Sequence, residues 1–462
     1  MARNPANTHA EHHARAPERL GIDESTGRRL HVCIINQYYE PDIAATAHLL
    51  HELAAELVKL GFDVRVLTSR PSYGPKETWV DCPMRETLDG VDVRRMWTTR
   101  FSKDTLAGRG INFVTYLGQL FLRLLVASRR DTVYLYTTSP PFLGMIAAAV
   151  SVFRKHHFVT LLYDSYPHVA TWVGTFQRGG LIDKLWHRAN RFYYNRCESA
   201  IVLCRRAREL VHDDYRLDRR HIHVIPNWAD GDVIRTMPKA DSEFAAEEGV
   251  LETFNVMYSG NLGLYYDFET VLGAADRLRH EAFTLLLVGS GGKKERLRGE
   301  IAERNLNNTR LLNYRPIEKL ADSLSAADAS LVSIAGGIEG ISFPSKLYSS
   351  LAVGRPILAL SEKASELREL VERHRVGLWC KLGDAAHMEA NIRWMMANPE
   401  GAKEMGRRAR TLFERAFTKD IAAQRYARVL RAGSPLTRDT SEDLALDSIS
   451  GEAEVEPEAA AV

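Results

Sequence analysis

The residues best suited to chemistry lie in one stretch, residues 335–360, which reads AGGIEGISFPSKLYSSLAVGRPILAL. It follows an apolar run that predicts a buried parallel strand, and its loop holds a single acid, Glu339, among several glycines. Pro344 suits the first turn of a helix, in which Lys346 adds a positive charge. A glycine-rich loop before a helix offers free N–H groups to an anion, so the stretch indicates a diphosphate site, with Glu339 able to accept hydrogen bonds from a ribose. An ordinary strand-to-helix crossover with a turn glycine is the alternative that this stretch alone leaves open.

Three other segments of the second half also follow predicted strands directly. They read SGNLG (259–263), GSGGKK (289–294) and NYRP (313–316). Glycine permits close backbone approach to a phosphate, and a tyrosine ring offers a surface for a planar base. The residues predicted to bind a nucleotide there are Gly260, Asn261, Gly263, Gly289, Ser290, Lys293, Tyr314 and Arg315. None of the segments fits the G-x-G-x-x-G or Walker patterns, which disfavours ordinary dinucleotide binding and P-loop chemistry.

The elements that must position these loops alternate between strand and helix in two separate runs of chain. Apolar strand candidates of the first run are residues 30–36, 63–68, 91–97, 131–137, 158–163, 200–204 and 222–225. The pattern breaks near Pro226 and restarts at 255–258. This alternation predicts an α/β protein with two Rossmann-like, doubly wound domains whose strand ends face a central cleft. The predicted segments are a disordered tail (1–29), the first domain (30–228), a linker (229–252), the second domain (253–415), a final helix (416–432) and an acidic disordered tail (433–462).

Composition narrows the class of protein. The chain has 462 residues, 45% of them apolar and 26% charged, with a net charge of +2. Such a chain is too long for one core, and its charge gives no indication of nucleic-acid binding. The five cysteines show no metal-ligand spacing, and their odd number favours a reducing compartment. The polar first thirty residues do not resemble a signal peptide, so we expect a cytoplasmic protein. Because the sequence shows no metal-ligand cluster, we also expect no metal and no cofactor.

One apolar segment, residues 111–127, comes close to the length of a membrane-spanning helix but is interrupted by Arg123. Arginines 109, 129 and 130 bound it. Its apolar side chains fall mainly on one helical face: Phe113, Leu117, Leu120, Phe121, Leu124 and Leu125. Two interpretations stay open, a helix packed on the core of its domain and a helix lying on an anionic membrane surface.

Taken together, the motifs resemble retaining glycosyltransferase family 4. In the second half these are IPNWAD (225–230), YSGNLG (258–263), LLVGSGGKKERL (286–297) and FPSKLYSSLAVGRPILAL (343–360). In the first half, NQYYEPDIAATAHLLHELAAELVKLGFDVRVLT (36–68), TTSPPFLG (137–144) and LYDSYPHVATWVG (162–174) are similar to the branch that builds bacterial surface polysaccharides. The resemblance covers about residues 30–430. It implies a GT-B fold, with a nucleotide-sugar donor on the C-terminal domain, an acceptor on the N-terminal domain, and a C-terminal helix that crosses back.

The resemblance also implies roles for individual residues. Glu339 matches the first acid of the family's paired-glutamate motif, which faces the donor sugar, and Lys346 would contact the diphosphate. Asp164, in a DxxP segment, would orient or activate the acceptor hydroxyl, with His168 as a relay. The structural alternative is that Asp164 caps the following turn. The further donor-site residues implied are Gly340, Ser342, Phe343, Pro344, Ser345, Leu347 and Ser349, and the acceptor-loop residues are Asp42, Ala44 and Ala45.

The sequence departs from the family pattern at several positions. Ser349 stands where the second glutamate, usually assigned to the ribose, falls when the motif is aligned backwards from Gly354. Leu264 replaces a basic residue that often follows the GNLG loop. Ala44 and Ala45 replace a glycine pair, and His168 replaces an acid. The positive charge that the donor would need is still offered by Lys346, Lys293 and Lys294.

The expected function is therefore a metal-independent, retaining hexosyltransferase that extends a saccharide or polyprenyl-lipid-linked acceptor in exopolysaccharide or lipopolysaccharide assembly. We expect it in the cytoplasm, at the inner face of the cell membrane. Two alternatives stay open: a nucleotide-sugar 2-epimerase on the same fold, and a catalytically weak binding or scaffold subunit of a polysaccharide machine.

Overall fold

The computed structural model describes residues 19–73, 79–101 and 106–437, and this part of the chain forms two α/β units. The strands of the first unit are β1 (His31–Ile35), β2 (Asp63–Ser69), β3 (Arg85–Leu88), β4 (Val91–Met96), β5 (Thr132–Thr137), β6 (His157–Leu162), β7 (Ser199–Val202) and β8 (Ile222–Val224). They form one sheet in the order β3-β4-β2-β1-β5-β6-β7-β8. Neighbouring strands run parallel, except that β3 pairs antiparallel with β4.

Helices cover both faces of this sheet. They are α1 (Ala45–Lys59), α2 (Leu106–Ala127), α3 (Leu143–Phe153), α4 (His168–Trp172), α5 (Leu181–Tyr194) and α6 (Arg205–Tyr215). Because side chains alternate along a strand, Val32 and Ile34 face the core beneath α1, whereas Cys33 and Ile35 face the core beneath α2. In α2 the fully buried apolar side chains of the described residues are Tyr116, Leu120 and Leu124, so this helix packs on the core of its domain.

The second unit contains a six-stranded parallel sheet. Its strands are β9 (Phe254–Ser259), β10 (Phe283–Val288), β11 (Thr309–Leu312), β12 (Ala329–Ser333), β13 (Ile357–Ser361) and β14 (Gly377–Lys381). Its helices are α7 (Glu243–Glu247), α8 (Glu269–Arg277), α9 (Lys294–Glu303), α10 (Leu320–Ser325), α11 (Lys346–Ala352), α12 (Glu366–Arg373), α13 (Ala385–Ala397) and α14 (Pro399–Ala416). In the order β11-β10-β9-β12-β13-β14, the direction of winding reverses between β9 and β12. In the first sheet it reverses between β1 and β5, and ligands of such sheets bind at these points.

The last helix, α15 (Lys419–Ala432), returns to the first unit. Its buried face, including Ala423, Tyr426 and Val429, joins the core formed by α1 and the first sheet. Arg431 donates hydrogen bonds to the carbonyl oxygens of Leu20 and Ile22, at 3.0 and 2.7 Å. The predicted pair of Rossmann-like domains with a helix that crosses back is confirmed.

Three predicted boundaries differ from the structure. Residues 19–29, assigned to the disordered tail, form a turn held by the Gly21 N–H to the Leu60 carbonyl oxygen at 2.9 Å. Residues 242–252, assigned to the linker, include α7, whose Phe244 is buried in the core of the second unit. Ser434 and Thr437, assigned to the acidic tail, are buried. Each of these segments is held in place by only one or two side chains or backbone bonds. None of them therefore shows the long apolar period from which an ordered element is predicted. The rest of both predicted tails, 1–18 and 438–462, lies outside the described residues.

Candidate active site

The carboxyl ends of the two sheets face each other across a cleft and touch at several points. The Ser165 N–H, after β6, donates to the Ile341 carbonyl oxygen at 2.8 Å. The indole N–H of Trp172 donates to the Gly336 carbonyl oxygen at 3.1 Å. Residues 335–342, in which the sequence predicted the donor site, therefore form the contact between the units as well as part of the cleft.

Lys346 lies at the centre of the predicted donor site. Its Nζ donates to the Tyr266 hydroxyl at 2.9 Å and lies 4.2 Å from the centre of the Tyr266 ring. The side chain is mostly buried, and no carboxylate of the described residues lies within 4 Å of Nζ. Burial lowers the pKa of Lys346 from 10.5 to about 7. A buried amine with no counter-ion is a site prepared for an anion.

The backbone around Lys346 is shaped to admit its side chain. Gly260, in the loop after β9, has a φ of +144°, and a Cβ atom there would lie 2.1 Å from Lys346 Cε. Helix α11 begins at Lys346 rather than at the predicted Pro344, and it has only seven residues. The positive end of this helix therefore contributes less to an anion site than the sequence suggested. Most of the attraction for an anion comes from the charge of Lys346.

Glu339 lies on the opposite side of the same loop, among other acids. Its Oε1 accepts the Glu366 N–H at 2.5 Å, at the start of α12. Burial raises the pKa of Glu339 to about 7, and the neighbouring charges of Glu366 and Glu362 act in the same direction. Glu362 itself accepts the Gly337 N–H at 3.0 Å. Glu339 is thus a carboxyl group that can exchange a proton near neutral pH.

Asp164 reaches the cleft from the first unit. The backbone N–H groups of Tyr163 and Asp164 both donate to Thr138 Oγ1 at 3.2 Å, which fixes the end of β6. The Asp164 carboxyl hydrogen-bonds to Ser342 across the cleft, and burial raises its pKa. The structure therefore brings Asp164 and the loop of Glu339 together, and the predicted role of Asp164 towards an acceptor stays a prediction.

His168 is placed differently from the prediction that it relays a proton for Asp164. Its Nδ1 hydrogen-bonds to Ser165 Oγ at 2.9 Å and its Nε2 to Asp214 Oδ2 at 2.7 Å. Both ring nitrogens are thus taken by other partners, and the ring holds the turn after β6 against α6. His168, His187 and Asp214 also form the one group of three side chains, among the described residues, whose ligand atoms lie close enough to hold a metal ion. No spacing pattern in the sequence indicates this group, because the three residues lie on different elements.

The glycine loops of the second unit pack on one another. A Cβ atom on Gly289 would lie 1.9 Å from the Gly260 carbonyl oxygen, so this glycine is required by the fold itself. The Ser290 carbonyl oxygen accepts the Leu262 N–H at 2.8 Å, which joins the two loops. Gly263 contacts the Asn261 side chain. These loops form one rigid wall beside Lys346.

Three predicted donor contacts have other partners. Lys293 donates to the carbonyl oxygens of Leu264 and Tyr266, at 3.2 and 2.7 Å, and so fixes a loop. Arg315 forms ion pairs of 3.0 and 3.1 Å with Glu247 and Glu248. Ser349 Oγ donates to the carbonyl oxygen of Lys346 inside α11. Each is thus engaged within its own unit, Lys293 and Ser349 by backbone carbonyl oxygens and Arg315 by two carboxylates. Tyr314 differs, since its side chain is 53% exposed and remains open to a base.

The remaining predicted residues have mixed positions. Phe343 is half-buried and packs at the junction of three cores, and Leu347 is fully buried. Asp42 is 5% exposed, and its Oδ1 accepts the N–H groups of Ser72 and Tyr73 at 2.8 Å. Asp42 therefore fixes the backbone of residues 72–73 against the predicted acceptor loop. Gly340 is buried against Arg206. Pro344 and Ser345 lie just before α11. Ala44 is buried and Ala45 is exposed.

Sequence reasoning missed Tyr266 and Glu366. Tyr266 lies three residues after the SGNLG segment, in the same loop between β9 and α8, and it is recognisable only once Lys346 contacts it. Glu362 follows β13 directly and Glu366 begins the next helix, so the rule that found the other four segments, polar residues after a strand end, could have found them as well.

Comparison with known families gives two matches. The profile described as a glycosyl transferase 4-like domain matches residues 45–228. The profile described as glycosyl transferases group 1 matches residues 241–412. The two matches cover the two α/β units in order.

Individual relatives and solved structures agree with these matches. The chain is 23% identical over 341 residues to a probable glycosyltransferase, WbjE, of Pseudomonas aeruginosa, covering 74% of this chain and 84% of WbjE. It is 34% identical over 156 residues to WcaI of Escherichia coli (strain K12), a putative colanic acid biosynthesis glycosyl transferase, covering 33% of this chain and 38% of WcaI. Sucrose-phosphate synthase from Thermosynechococcus elongatus has a similar fold, with a TM-score of 0.68 and 16% identity. The match covers 87% of this chain and 98% of the synthase chain. The structure of Alr3699/HepE of Anabaena in complex with UDP-glucose also has a similar fold, with a TM-score of 0.65 and 15% identity. The match covers 87% of this chain and 99% of the HepE chain.

Proposed function

Because the chain belongs to glycosyltransferase family 4, with a GT-B fold, we propose that it transfers a sugar from a nucleotide-diphosphate donor, with retention of configuration, to a saccharide or lipid-linked acceptor. The relative WcaI, named as a putative colanic acid biosynthesis glycosyl transferase, supports a place in polysaccharide assembly. A UDP-hexose is the first donor class to test, since the HepE structure holds UDP-glucose. The proposed site of action is the cytoplasmic side of the cell membrane.

The observation that carries this proposal is the buried, unneutralised amine of Lys346 in the cleft. Breaking a glycosidic bond to a nucleotide diphosphate leaves negative charge on the leaving group. A fixed cation in a water-poor site stabilises that charge more strongly than it would in water, because the surroundings do not screen it. Lys346 therefore supplies a positive charge that a metal ion supplies in other enzymes, which supports the metal-independent reaction.

Two carboxyl groups of the cleft are proposed to divide the remaining chemistry. Glu339, with a pKa near 7, borders the donor loop and is proposed to contact the transferred sugar. Asp164 comes from the first unit and hydrogen-bonds to Ser342 of the donor loop, so it is proposed to orient the acceptor hydroxyl. The acceptor oxygen would thereby lie between the domains, beside the sugar that it attacks.

The test is incubation of the purified protein with a panel of nucleotide sugars and acceptors, with nucleotide release and product anomer followed by NMR. We expect UDP release that survives EDTA and yields the donor's own anomeric configuration. The Glu339→Gln and Asp164→Asn variants should each lower turnover by about 100-fold or more, with UDP affinity changed less than tenfold. The matched control is Lys403→Gln, an exposed substitution on α14.

Each alternative has a distinct outcome in this assay. Conversion of the donor to its C2 epimer without an acceptor would identify an epimerase. Binding of UDP with no release from any donor would identify a binding subunit. If both carboxyl variants kept full turnover, the assignment of the reacting groups would be wrong.

A further inference from the structure

The outer side of the first unit has an unusual composition. Helices α2, α3 and α5 pack side by side on one face of the first sheet. On α2, the outward side chains are Ile111, Val114, Leu122 and Val126, which are 46 to 80% exposed. Between residues 110 and 127, every exposed residue is apolar or glycine. The outer side of a helix in a globular protein normally carries polar and charged side chains.

The neighbouring helices extend this surface. Phe153, at the end of α3, is 69% exposed, and Leu181, at the start of α5, is 74% exposed. Leu185 is exposed on the next turn of α5, beside the cations Lys184 and Arg188. We call the outward sides of α2, α3 and α5 the basic apolar face.

The charge of this region is strongly one-sided. Residues 106–196 contain eleven lysines and arginines and three acids, a net charge of +8, whereas the whole chain carries +2. None of the three acids presents a free carboxylate on the face. Asp183 is 5% exposed, Asp164 lies in the cleft, and Asp131 is paired with Arg129 at 2.9 Å.

Several cations of the face lack a carboxylate partner. Lys155, Lys184 and Arg188 form no ion pair with any described residue. Arg154 donates to the Leu125 and Val126 carbonyl oxygens at the end of α2, which holds a guanidinium beside exposed apolar side chains. Positive and apolar groups thus share one surface.

We propose that the basic apolar face docks the protein on an anionic lipid bilayer. Cations without partners match anionic headgroups, and aliphatic and aromatic side chains enter the boundary of the acyl region. A second copy of the chain fits this surface poorly, because a twofold interface would set the same cations against one another. The helix segment Gly110–Ala127 is long and apolar enough to cross a membrane, but its side chains Tyr116, Leu120 and Leu124 are buried on the sheet. Helix α2 is therefore placed to lie on the bilayer.

This face also reaches the edge of the cleft. Phe142, just before α3, stacks on Trp186 of α5 with ring centres 4.2 Å apart, at the end of β5 where the first sheet meets the cleft. A bilayer docked on the face would lie beside the acceptor side of the cleft. The docking itself does not depend on the proposed reaction.

The charge of the face is tested by flotation of the full chain with vesicles of pure phosphatidylcholine and of phosphatidylcholine with 30% phosphatidylglycerol, in about 0.1 M and 1 M salt. We expect binding to the anionic vesicles only, and weaker binding at high salt. Reversing two cations in Lys184→Glu/Arg188→Glu should lower the partition coefficient by at least about 30-fold, because each cation near an anionic surface contributes about fivefold. The control, Arg298→Glu/Lys403→Glu on the second unit, carries the same charge change and should bind as the parent does.

The apolar part is tested by Phe153→Ser/Leu181→Ser, which leaves all charges in place. We expect at least tenfold weaker binding with the same salt dependence. The circular dichroism spectrum and the thermal denaturation midpoint should be unchanged in every variant, which shows that each is folded whether or not the protein binds UDP. Equal binding to both vesicle types, no binding to either, or full binding by the charge-reversed protein would overturn the proposal. So would a dimer in analytical ultracentrifugation that Phe153→Ser/Leu181→Ser dissociates.

Discussion

At the scale of single residues, the buried amine of Lys346 links donor binding to protons. Without a ligand, burial holds its pKa near 7, so at pH 8 most molecules carry a neutral amine. A diphosphate beside Nζ favours the charged form and raises the pKa again. The pKa of Glu339 near 7 shifts in the same upward direction, because a new negative charge also favours its neutral form.

UDP binding at pH 8 should therefore take up about one proton, and UDP affinity should fall as the pH rises above 7. Isothermal titration calorimetry in two buffers with different ionisation enthalpies measures this uptake. The Lys346→Met variant should lose about one proton of uptake and bind UDP at least tenfold more weakly. Lys403→Met, an exposed lysine of the second unit, serves as the control. Equal uptake by the parent and Lys346→Met would contradict the role of this amine.

Glu339, Lys346 and Asp164 all come after strands whose apolar runs are easy to recognise, so the sequence could place them at the cleft, and their roles there stay predictions. The sequence was insufficient for side chains whose partners lie far away along the chain. Arg315 was predicted to bind a nucleotide, yet Glu247 and Glu248 lie 68 and 67 positions before it and pair with it. His168 likewise turns towards Asp214 on another helix. Spacing shows which residues share a loop, whereas long-range packing decides which way their side chains turn.

At the scale of elements, the loop after β9 must leave room for the lysine on α11. Gly260→Ala would place a Cβ atom 2.1 Å from Lys346 Cε, at a φ of +144°. The flexible lysine would have to move, so we expect at least tenfold weaker UDP binding, with about 1 to 3 kcal/mol lost from the free energy of unfolding. Gly383→Ala is the control, since its φ is +79° and nothing lies within 4 Å of the added atom.

UDP titration and urea denaturation of both variants separate the two effects. Gly383→Ala should lose stability through backbone strain and still bind UDP as the parent does. Unchanged UDP binding by Gly260→Ala would show that the position of Lys346 does not depend on this loop.

Helix α15 fastens the end of the chain to the first unit. Tyr426 is fully buried and packs edge-on against Trp228, with ring centres 5.9 Å apart. Trp228 in turn donates its indole N–H to Glu52 Oε2 at 2.7 Å. Tyr426→Ala should lower the free energy of unfolding by about 3 to 5 kcal/mol, because it opens a cavity between two elements. Asp420→Ala, exposed in the first turn of α15, should cost less than about 1 kcal/mol. Equal denaturation midpoints for the two variants would show that the helix is not fastened through Tyr426.

At the scale of the whole molecule, the sequence predicted the two sheets and the returning helix, because strands buried on both faces are continuous apolar runs. It missed β3, which reads RETL and is half-exposed at an antiparallel edge. The predicted linker also ended too late in the chain, because residues 242–252 belong to the second unit. The segment is polar, and the buried side chain of Phe244 alone does not form a recognisable pattern. Edge strands and domain borders depend on a few contacts rather than on a periodic pattern.

The closed arrangement of the two units depends on the start of α6. Glu366, on α12 of the second unit, accepts the N–H groups of Arg205 and Arg206 at 3.0 and 2.6 Å. A carboxylate at the positive end of an eleven-residue helix is stabilised by that helix as well as by the two bonds. Glu369 contacts only the half-exposed side chain of Arg205. The first contact should hold the cleft closed more firmly than the second, because exposed ion pairs contribute little.

Glu366→Ala should therefore shift the protein towards an open form, by about 1 to 2 kcal/mol or roughly tenfold in the closed fraction. Electron paramagnetic resonance distances between one spin label on each unit, with and without UDP, measure this shift. We expect a broader, longer distribution without UDP and partial recovery with it, whereas Glu369→Ala should match the parent. Turnover should fall with the closed fraction, since Asp164 and the donor loop come from different units. The substitution also removes a negative neighbour of Glu339, so the pKa of Glu339 should fall. If Glu366→Ala and Glu369→Ala gave the same distances as the parent, the start of α6 would not control closure.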